Sequence, residues 1–123
     1  MLINGEEKII RLHGQDFHCV LDVTMHFLGG KWKSVIIWYL RNGPRRFNSL
    51  RKCIPDMTEK MLSLQLKNME ENGILDRTVL SEKPLRVDYR LTPFGETLLP
   101  VVEAMATWGR QLGQERGDWI SKG

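Results

Sequence analysis

Apolar residues recur at helical spacing in residues 16–28 and form two stripes, which lie about 100° apart around the helix axis. A helix on the surface of a domain ordinarily needs only one apolar stripe. We therefore expect one stripe to pack on the domain core and the other on a second subunit, with Gly29-Gly30 ending the helix. The stripes are Val20, Val23 and Phe27 on one side and Leu21, Met25 and Leu28 on the other.

Two further helices are predicted before the middle of the chain. Residues 31–41 are apolar over a broad face, so this helix is expected to be central in the core. The turn signal Asn42-Gly43-Pro44 follows, and residues 47–53 then fit a short helix that Pro55 ends. The apolar residues of the central helix are Trp32, Val35, Ile36, Ile37, Trp38 and Tyr39, and those of the short helix are Phe47 and Leu50.

Residues 58–73 predict a longer helix with two unlike faces. Leu62, Leu66 and Met69 fall on one apolar stripe. Thr58 suits the N-cap, Asp56 is a rival cap with Glu59 at capping-box spacing, and Gly73 suits the helix end. An ordinary surface helix has the same pattern, so the neighbouring elements decide its role. The opposite face carries Lys60, Leu64, Lys67 and Glu71, flanked by Ser63 and Asn68.

The order short helix, tight turn, longer helix is that of a helix-turn-helix, whose second helix enters the major groove of DNA. After Gly73 the period changes to the alternation of half-buried strands, in residues 75–79 and 87–91. Residues 81–86 between them form a polar hairpin with Pro84 at the tip. We interpret this hairpin as a wing, although a hairpin that only closes the domain has the same pattern.

The last part of the chain predicts a helix that continues beyond the domain. Thr92 suits its N-cap and Pro93 its first position, while Pro100 should kink or delay the regular helix. Apolar residues then repeat at spacings of three and four, as in a heptad seam. A winged domain does not need so long a seam for its own core, so we expect dimerisation. The seam consists of Leu98, Val101, Met105, Trp108 and Leu112.

The composition is that of one domain. The 123 residues are 27% charged and 41% hydrophobic, as in soluble globular proteins. The chain has no apolar run near the roughly 18–20 residues of a membrane span, and its N-terminus lacks the apolar region of a signal peptide, so we expect a cytoplasmic protein. Residues 1–15 are expected to form an N-terminal arm, which packs on a partner or frays, and residues 16–123 a single domain. The predicted fold class is mainly α with a small β hairpin (α+β): a winged helix-turn-helix with extra N- and C-terminal dimerisation helices.

Positive charge is concentrated around the predicted helix-turn-helix. The formal net charge is only +3, but residues 41–90 contain eleven Lys and Arg against seven Asp and Glu. This distribution favours phosphate binding over a mixed solvated surface. The predicted DNA contacts are Arg45 and Arg46 as phosphate clamps, Thr58, Lys60, Ser63, Leu64 and Lys67 on the groove face of the longer helix, and Lys83 and Arg86 on the wing.

The two cysteines, Cys19 and Cys53, form neither a disulfide framework nor a CxxC pair. Cys19 is placed in the first helix beside the expected dimer seam, with His18 next to it. It is a candidate redox sensor, and the competing interpretation is a buried thiol that acts as a small hydrophobe. Cys53 is the second candidate, and its pairing with Cys19 of another subunit stays open.

Metal and enzyme chemistry are not predicted. The spacing of His13, His18, Cys19 and His26 matches no established ligand pattern, so no metal or other cofactor is expected. The sequence has no glycine loop that would hold phosphates, and the His18–Cys19 pair lacks a third orienting group. We therefore expect a protein that is not an enzyme.

Three stretches match a known family in their order and spacing. They are Leu28-Gly29-Gly30-Lys31-Trp32-Lys33 preceded by Cys19, the run from Arg46-Phe47 through Leu50, Met61-Leu62, Leu66 and Glu71-Asn72-Gly73 to Arg77, and Val87-Asp88-Tyr89-Arg90-Leu91-Thr92-Pro93-Phe94-Gly95 ending near Trp108-Gly109. Over about residues 18–112 the chain resembles the HxlR-type family of bacterial winged helix-turn-helix transcription regulators, in the MarR-like superfamily.

The resemblance implies a homodimer that binds a palindromic operator in double-stranded DNA and acts as a repressor or an activator. It also implies that some members sense oxidants or electrophiles through the cysteine that Cys19 matches. The family commonly has Pro directly after this cysteine, where this chain has Val20, so the surroundings of the cysteine are not carried over. The alternative function is a winged-helix protein-interaction module without DNA binding, which would have no reason to place positive charge on both helix and wing.

Overall fold

A computed structural model describes residues 2–122 as a winged helix-turn-helix of the α+β class. The helices are α1 (Val20–Leu28), α2 (Lys33–Leu40), α3 (Phe47–Cys53), α4 (Glu59–Glu71), α5 (Pro93–Glu96) and α6 (Leu99–Arg116). The strands are β1 (Leu2–Ile3), β2 (Glu6–Glu7), β3 (Ile10–Leu12), β4 (Gln15–Phe17), β5 (Arg45–Arg46), β6 (Leu75–Glu82) and β7 (Leu85–Leu91). In residues 2–122, no helix is both long and apolar enough to cross a membrane.

The N-terminal segment forms two antiparallel hairpins, β1–β2 and β3–β4, which the apolar pattern does not predict. Each turns at a pair of residues with positive φ, Asn4-Gly5 and His13-Gly14, as type I′ hairpin turns require. β1 and β2 are exposed along their length, whereas Phe17 at the end of β4 is buried. Residues 2–17 therefore fold as two hairpins ahead of α1.

The predicted start of the first helix at residue 16 is wrong. Phe17 belongs to β4, and α1 begins at Val20, four residues later than expected. Cys19 has an extended backbone (φ −135°, ψ 139°) and occupies the N-cap position. It was expected inside the helix, but it lies at the helix entrance because the chain leaves the hairpin in extended conformation.

The core lies between α2, α4 and the base of the β6–β7 hairpin. Ile36, Ile37 and Leu40 of α2 are almost completely buried, which confirms that this helix is central. α4 contributes its predicted apolar stripe, and α6 contributes residues from its first turn. The most deeply buried side chains are Ile36, Ile37, Leu40, Leu50, Met57, Leu62, Leu66, Met69, Ile74 and Leu75.

The third sheet is larger than predicted, because β5 pairs with the wing. Its strand order is β5-β7-β6, and all neighbours are antiparallel. The register places Arg45 opposite Tyr89 and Arg46 opposite Asp88. The residues directly before α3 are thus joined to the wing by backbone pairing, so the helix-turn-helix and the wing form one framework.

A threonine and a glycine join the wing to the last helices. The Thr92 hydroxyl accepts a hydrogen bond from the Gly95 backbone N–H (2.9 Å) and donates toward the Gly73 carbonyl (2.5 Å). A Cβ at Gly95 would lie 2.0 Å from the Ile74 carbonyl oxygen, so only glycine fits this close approach. The helix is regular only from Leu99, with Pro100 in its first turn, as the position of Pro100 predicts.

Candidate nucleic-acid interface

The outward face of α4 is mainly polar and carries Lys60 and Lys67 together with Glu71. Leu62, Leu66 and Met69 anchor the helix from below, so the opposite face is free to approach a ligand. Leu64 is 58% exposed although it is apolar, which leaves its side chain available for contact. The other predicted groove residues, Thr58, Lys60, Ser63 and Lys67, are also exposed.

The N-terminus of α4 is fixed by a cap and an anchor. The Thr58 side chain accepts a hydrogen bond from the Met61 N–H (3.1 Å), which satisfies a donor that the first helical turn leaves without a partner. Met57, directly before it, is 1% exposed and ties the turn to the core. Thr58 rather than Asp56 is therefore the N-cap. Its hydroxyl is engaged with its own helix, and its exposed surface stays at the helix entrance.

An ion pair connects the two helices of the helix-turn-helix at the same point. Arg51 Nη1 of α3 lies 3.5 Å from Glu59 Oε1, on the first residue of α4. Both side chains remain exposed to a large extent, at 46% and 66%. In the sequence, Glu59 stands out only by its capping-box spacing from Asp56. Its proximity to Arg51 depends on how the turn between α3 and α4 folds.

Arg45 has partners within the protein. Its Nε donates to the Tyr39 carbonyl (2.6 Å), and its Nη1 donates to Ser49 Oγ (3.1 Å) and lies 3.5 Å from Cys53 Sγ. These contacts join the end of α2 to α3, so Arg45 holds the two helices together. A phosphate contact by Arg45 stays a prediction. Such a contact would use the part of the guanidinium that these internal contacts leave accessible.

A groove of about 980 Å³ lies between α3 and the beginning of β7. The exposed Arg46, Lys52 and Arg86 line it, and Asp88 is an acidic group among them. Arg46 and Arg86 are among the DNA contacts predicted from the sequence, and Lys52 is not. Their common location depends on the pairing of β5 with β7, which the alternation pattern does not reveal. The groove can accept a phosphate-bearing chain.

The tip of the wing projects away from the core. Lys83 is exposed beside Pro84, across a cis peptide bond, and Arg86 follows in β7. The wing also carries exposed apolar side chains, which are Val79, Leu80 and Leu85. The wing therefore presents its cations beside exposed apolar side chains.

Two helix faces outside the winged core are exposed and apolar. Val20, Leu21 and Met25 of α1 are between 53% and 69% exposed. On α6, exposure increases along the predicted seam, from Val101 at 39% to Trp108 at 65%. Leu98 alone of the seam is buried in the core. Val101, Met105 and Trp108 are therefore directed away from their own domain, whereas Leu112 is half-buried.

The cysteines occupy different environments. In the single chain, Cys19 is exposed at the entrance of α1. Cys53, the last residue of α3, is partly buried near the Arg45 guanidinium and borders the groove between α3 and the wing. Within the described residues, no group of three or more His, Cys, Asp and Glu is arranged to hold a metal ion.

Comparison with known proteins places this geometry in a family. A family model described as HxlR-like helix-turn-helix matches residues 27–116. The HTH-type transcriptional regulator YdeP of Bacillus subtilis (strain 168) is 42% identical over 93 residues, which cover 76% of this chain and 73% of YdeP.

Solved structures of related regulators have the same fold. The redox regulator HypR in its oxidized form superposes with a TM-score of 0.73 at 41% identity, covering 76% of this chain and 96% of HypR. The reduced form of the transcriptional regulator YodB from B. subtilis gives a TM-score of 0.66 at 39% identity, covering 81% of this chain and 98% of YodB. YodB has also been solved bound to a quinone, with a TM-score of 0.62 at 34% identity over 74% of this chain and 96% of YodB.

Proposed function

Because the chain belongs to the HxlR-like helix-turn-helix family and is a transcriptional regulator, we propose that it binds double-stranded DNA in the cytoplasm as a homodimer on a palindromic operator. The observation that carries this proposal is the exposed face of α4, which presents cations and small polar groups above a buried apolar stripe. The N-terminal residues of such a helix contact base edges in the major groove.

The residues have different roles in this complex. Lys60, Ser63, Leu64 and Lys67 lie in the groove, where a serine serves several bases and a leucine contacts a thymine methyl. Thr58 stands at the helix entrance and holds its first turn. Arg46, Lys83 and Arg86 contact phosphates, and these contacts position the protein rather than select a sequence. Arg45 supports them through its contacts with Tyr39 and Ser49.

Selection from fragmented genomic DNA with the purified full chain tests the proposal. Recovery of fragments that share a palindrome, followed by titration of one of them at two salt concentrations, is the expected result. A protein-interaction module without DNA binding would enrich no motif. Equal affinity for selected and random duplexes would overturn the claim of sequence-specific binding.

The homodimer is supported by the exposed apolar faces of α1 and α6. Leu21 and Met25 on α1 and Met105 and Trp108 on α6 are all about half exposed or more in the single chain. Contiguous exposed apolar surface marks interaction sites, and a second copy supplies the same helices by two-fold symmetry. Two copies place two α4 helices on one duplex, which accounts for a palindromic site.

We further propose that the dimer responds to oxidants or electrophiles through Cys19. The thiol is exposed at the entrance of α1, the helix whose apolar face takes part in the proposed dimer. A covalent change there alters how α1 meets the partner and hence the spacing of the two α4 helices. The relation to HypR, a redox regulator, and to YodB, which binds a quinone in one structure, supports this proposal.

Mild oxidation of the purified protein tests this response. We expect lower operator affinity after treatment, restored by a thiol reductant, and no response in Cys19→Ser. A subunit crosslink on a non-reducing gel that requires both Cys19 and Cys53 would identify the pairing. Unchanged operator affinity in treated wild-type protein, together with no crosslink, would reject Cys19 as a sensor.

A further inference from the structure

We propose that Glu59 selects a base in each half-site and that Arg51 controls this selection by pairing with it. This inference rests on the proposed DNA binding and assigns a specificity-determining residue to the same interface. The starting observation is an acidic side chain, 66% exposed, on the first residue of α4, between Thr58 and Lys60 of the proposed interface.

The position of Glu59 makes a contact with bases chemically selective. It follows the Thr58 cap, and Ser63 lies one turn further along the same side of the helix. An ionised carboxylate accepts hydrogen bonds and cannot donate them. In the major groove, only cytosine N4 and adenine N6 offer an amino donor, so guanine and thymine leave the carboxylate facing acceptors alone. Glu59 therefore favours an amino group at one position.

Arg51 reduces the electrostatic repulsion between this carboxylate and the DNA phosphates. Glu59 alone would be repelled by the phosphates on either side of the groove. The Arg51 guanidinium, 3.5 Å away, offsets its charge and limits the directions in which it can point. The pair is exposed and so held weakly. The carboxylate can therefore still turn to a base when DNA is bound.

The ion pair with Glu59 also keeps the Arg51 guanidinium from contacting a DNA phosphate. A guanidinium that is engaged with Glu59 contributes less to nonspecific phosphate binding. Removing the Glu59 charge should thus free Arg51 to make one additional phosphate contact. At the same time, it should abolish one base preference. This combination distinguishes the pair from an ordinary surface ion pair, which would change neither.

The experiment compares Glu59→Gln with wild-type protein on two duplexes: the best site that the wild type recovers from a random library, and a random-sequence control. Glu70→Gln is the matched control, because Glu70 is an exposed acid on the same side of α4, three turns further on. Thermal melting confirms that each variant is folded.

We expect Glu59→Gln to lower the discrimination between amino-bearing bases and guanine or thymine by about tenfold at one position, repeated symmetrically in both half-sites. Its affinity for the random duplex should rise, and the slope of log affinity against log salt should steepen by about one unit. Glu70→Gln should change neither quantity.

A double-mutant cycle tests the pairing itself. Arg51→Ala leaves the Glu59 charge without compensation, so it should weaken binding to both duplexes, and adding Glu59→Gln should restore much of the loss. Additive effects in the cycle, or an unchanged base preference in Glu59→Gln, would overturn the inference. Failure of the wild type to select any palindrome would instead overturn the proposed function, so the two failures are distinguishable.

Discussion

At the scale of single residues, the exposed lysines of the interface divide by the element that carries them. Lys60 lies on the outward face of α4, and Lys83 lies at the tip of the wing. A contact with bases in the groove and a contact with the phosphate backbone affect DNA affinity in different ways. Only the first depends on base sequence, whereas the second depends on salt for every sequence.

We therefore predict that Lys60→Ala weakens binding to the selected site far more than to random DNA. Lys83→Ala should weaken both and flatten the salt slope by about one unit. Fluorescence anisotropy with labelled duplexes measures both effects, and Lys122→Ala, outside the basic block, is the control. Wild-type affinity in both variants would remove the central claim about this interface.

Gly95 is a second residue whose role is set by a single contact. We predict that Gly95→Ala lowers the free energy of unfolding by about 2 kcal/mol, because the new Cβ would clash with the Ile74 carbonyl and force the junction apart. Chemical denaturation measures the loss, and the exposed neighbour Glu96→Ala should stay near wild type. A stable Gly95→Ala protein would mean that β6 and α5 can separate without cost.

At the scale of elements, the sequence predicted those helices and strands whose apolar residues recur at a regular spacing or whose ends carry a local signal. α3 has its predicted bounds, Thr58 caps α4, and Pro100 delays the last helix. In each case a periodic stripe, a cap residue or a proline acts locally. The wing followed from alternation and from a proline at its tip.

The N-terminal hairpins and β5 were missed for a physical reason. Strands of two or three residues are too short to establish a period. The signal that existed was local: Asn4-Gly5 is a strong type I′ turn sequence, and His13-Gly14 adopts the same positive φ values. β5 has no local signal, because Arg45 and Arg46 become a strand only by pairing with β7. Likewise, the Arg51–Glu59 pair exists only once α3 and α4 are folded together.

The β3–β4 hairpin carries a cross-strand ion pair with a measurable consequence. Arg11 donates to both carboxylate oxygens of Asp16 (2.6 and 3.1 Å), and this lowers the pKa of Asp16 below its ordinary value. The ionised form is thus favoured in the folded hairpin. Its stabilisation is present above the ordinary carboxyl pKa and is lost as pH falls through the lowered one.

We predict that Arg11→Met raises the pKa of Asp16 toward its ordinary value. The titration of the Asp16 carboxyl carbon, followed by NMR in wild type and variant, measures this shift. Because both groups are exposed, global stability should barely change. An identical titration curve in the two proteins would show that the pair does not persist in solution.

At the scale of the whole molecule, the proposed dimer depends on the exposed apolar faces of α1 and α6. We predict that Met105→Lys, which places a charge in the exposed seam, converts the dimer to a monomer and weakens operator binding. Gln114→Lys adds the same charge outside the seam of α6 and should leave the dimer intact. Sedimentation velocity distinguishes the two species, and a dimeric Met105→Lys protein would place the interface elsewhere.

At this scale, the pairing of β5 with β7 also constrains the length of DNA that one half-site can span in the proposed complex. Since Arg45 and Arg46 tie the start of α3 to the wing strand β7, we expect the wing to move together with the helix-turn-helix that contains α4. In the proposed complex, the α4 contact and the wing contact on one half-site are then a fixed distance apart. Inserting one base pair between them moves the distal phosphates by about 3.4 Å along the duplex and also rotates them around its axis. We expect such an insertion to break the wing contact, while the same insertion outside the half-site leaves it intact.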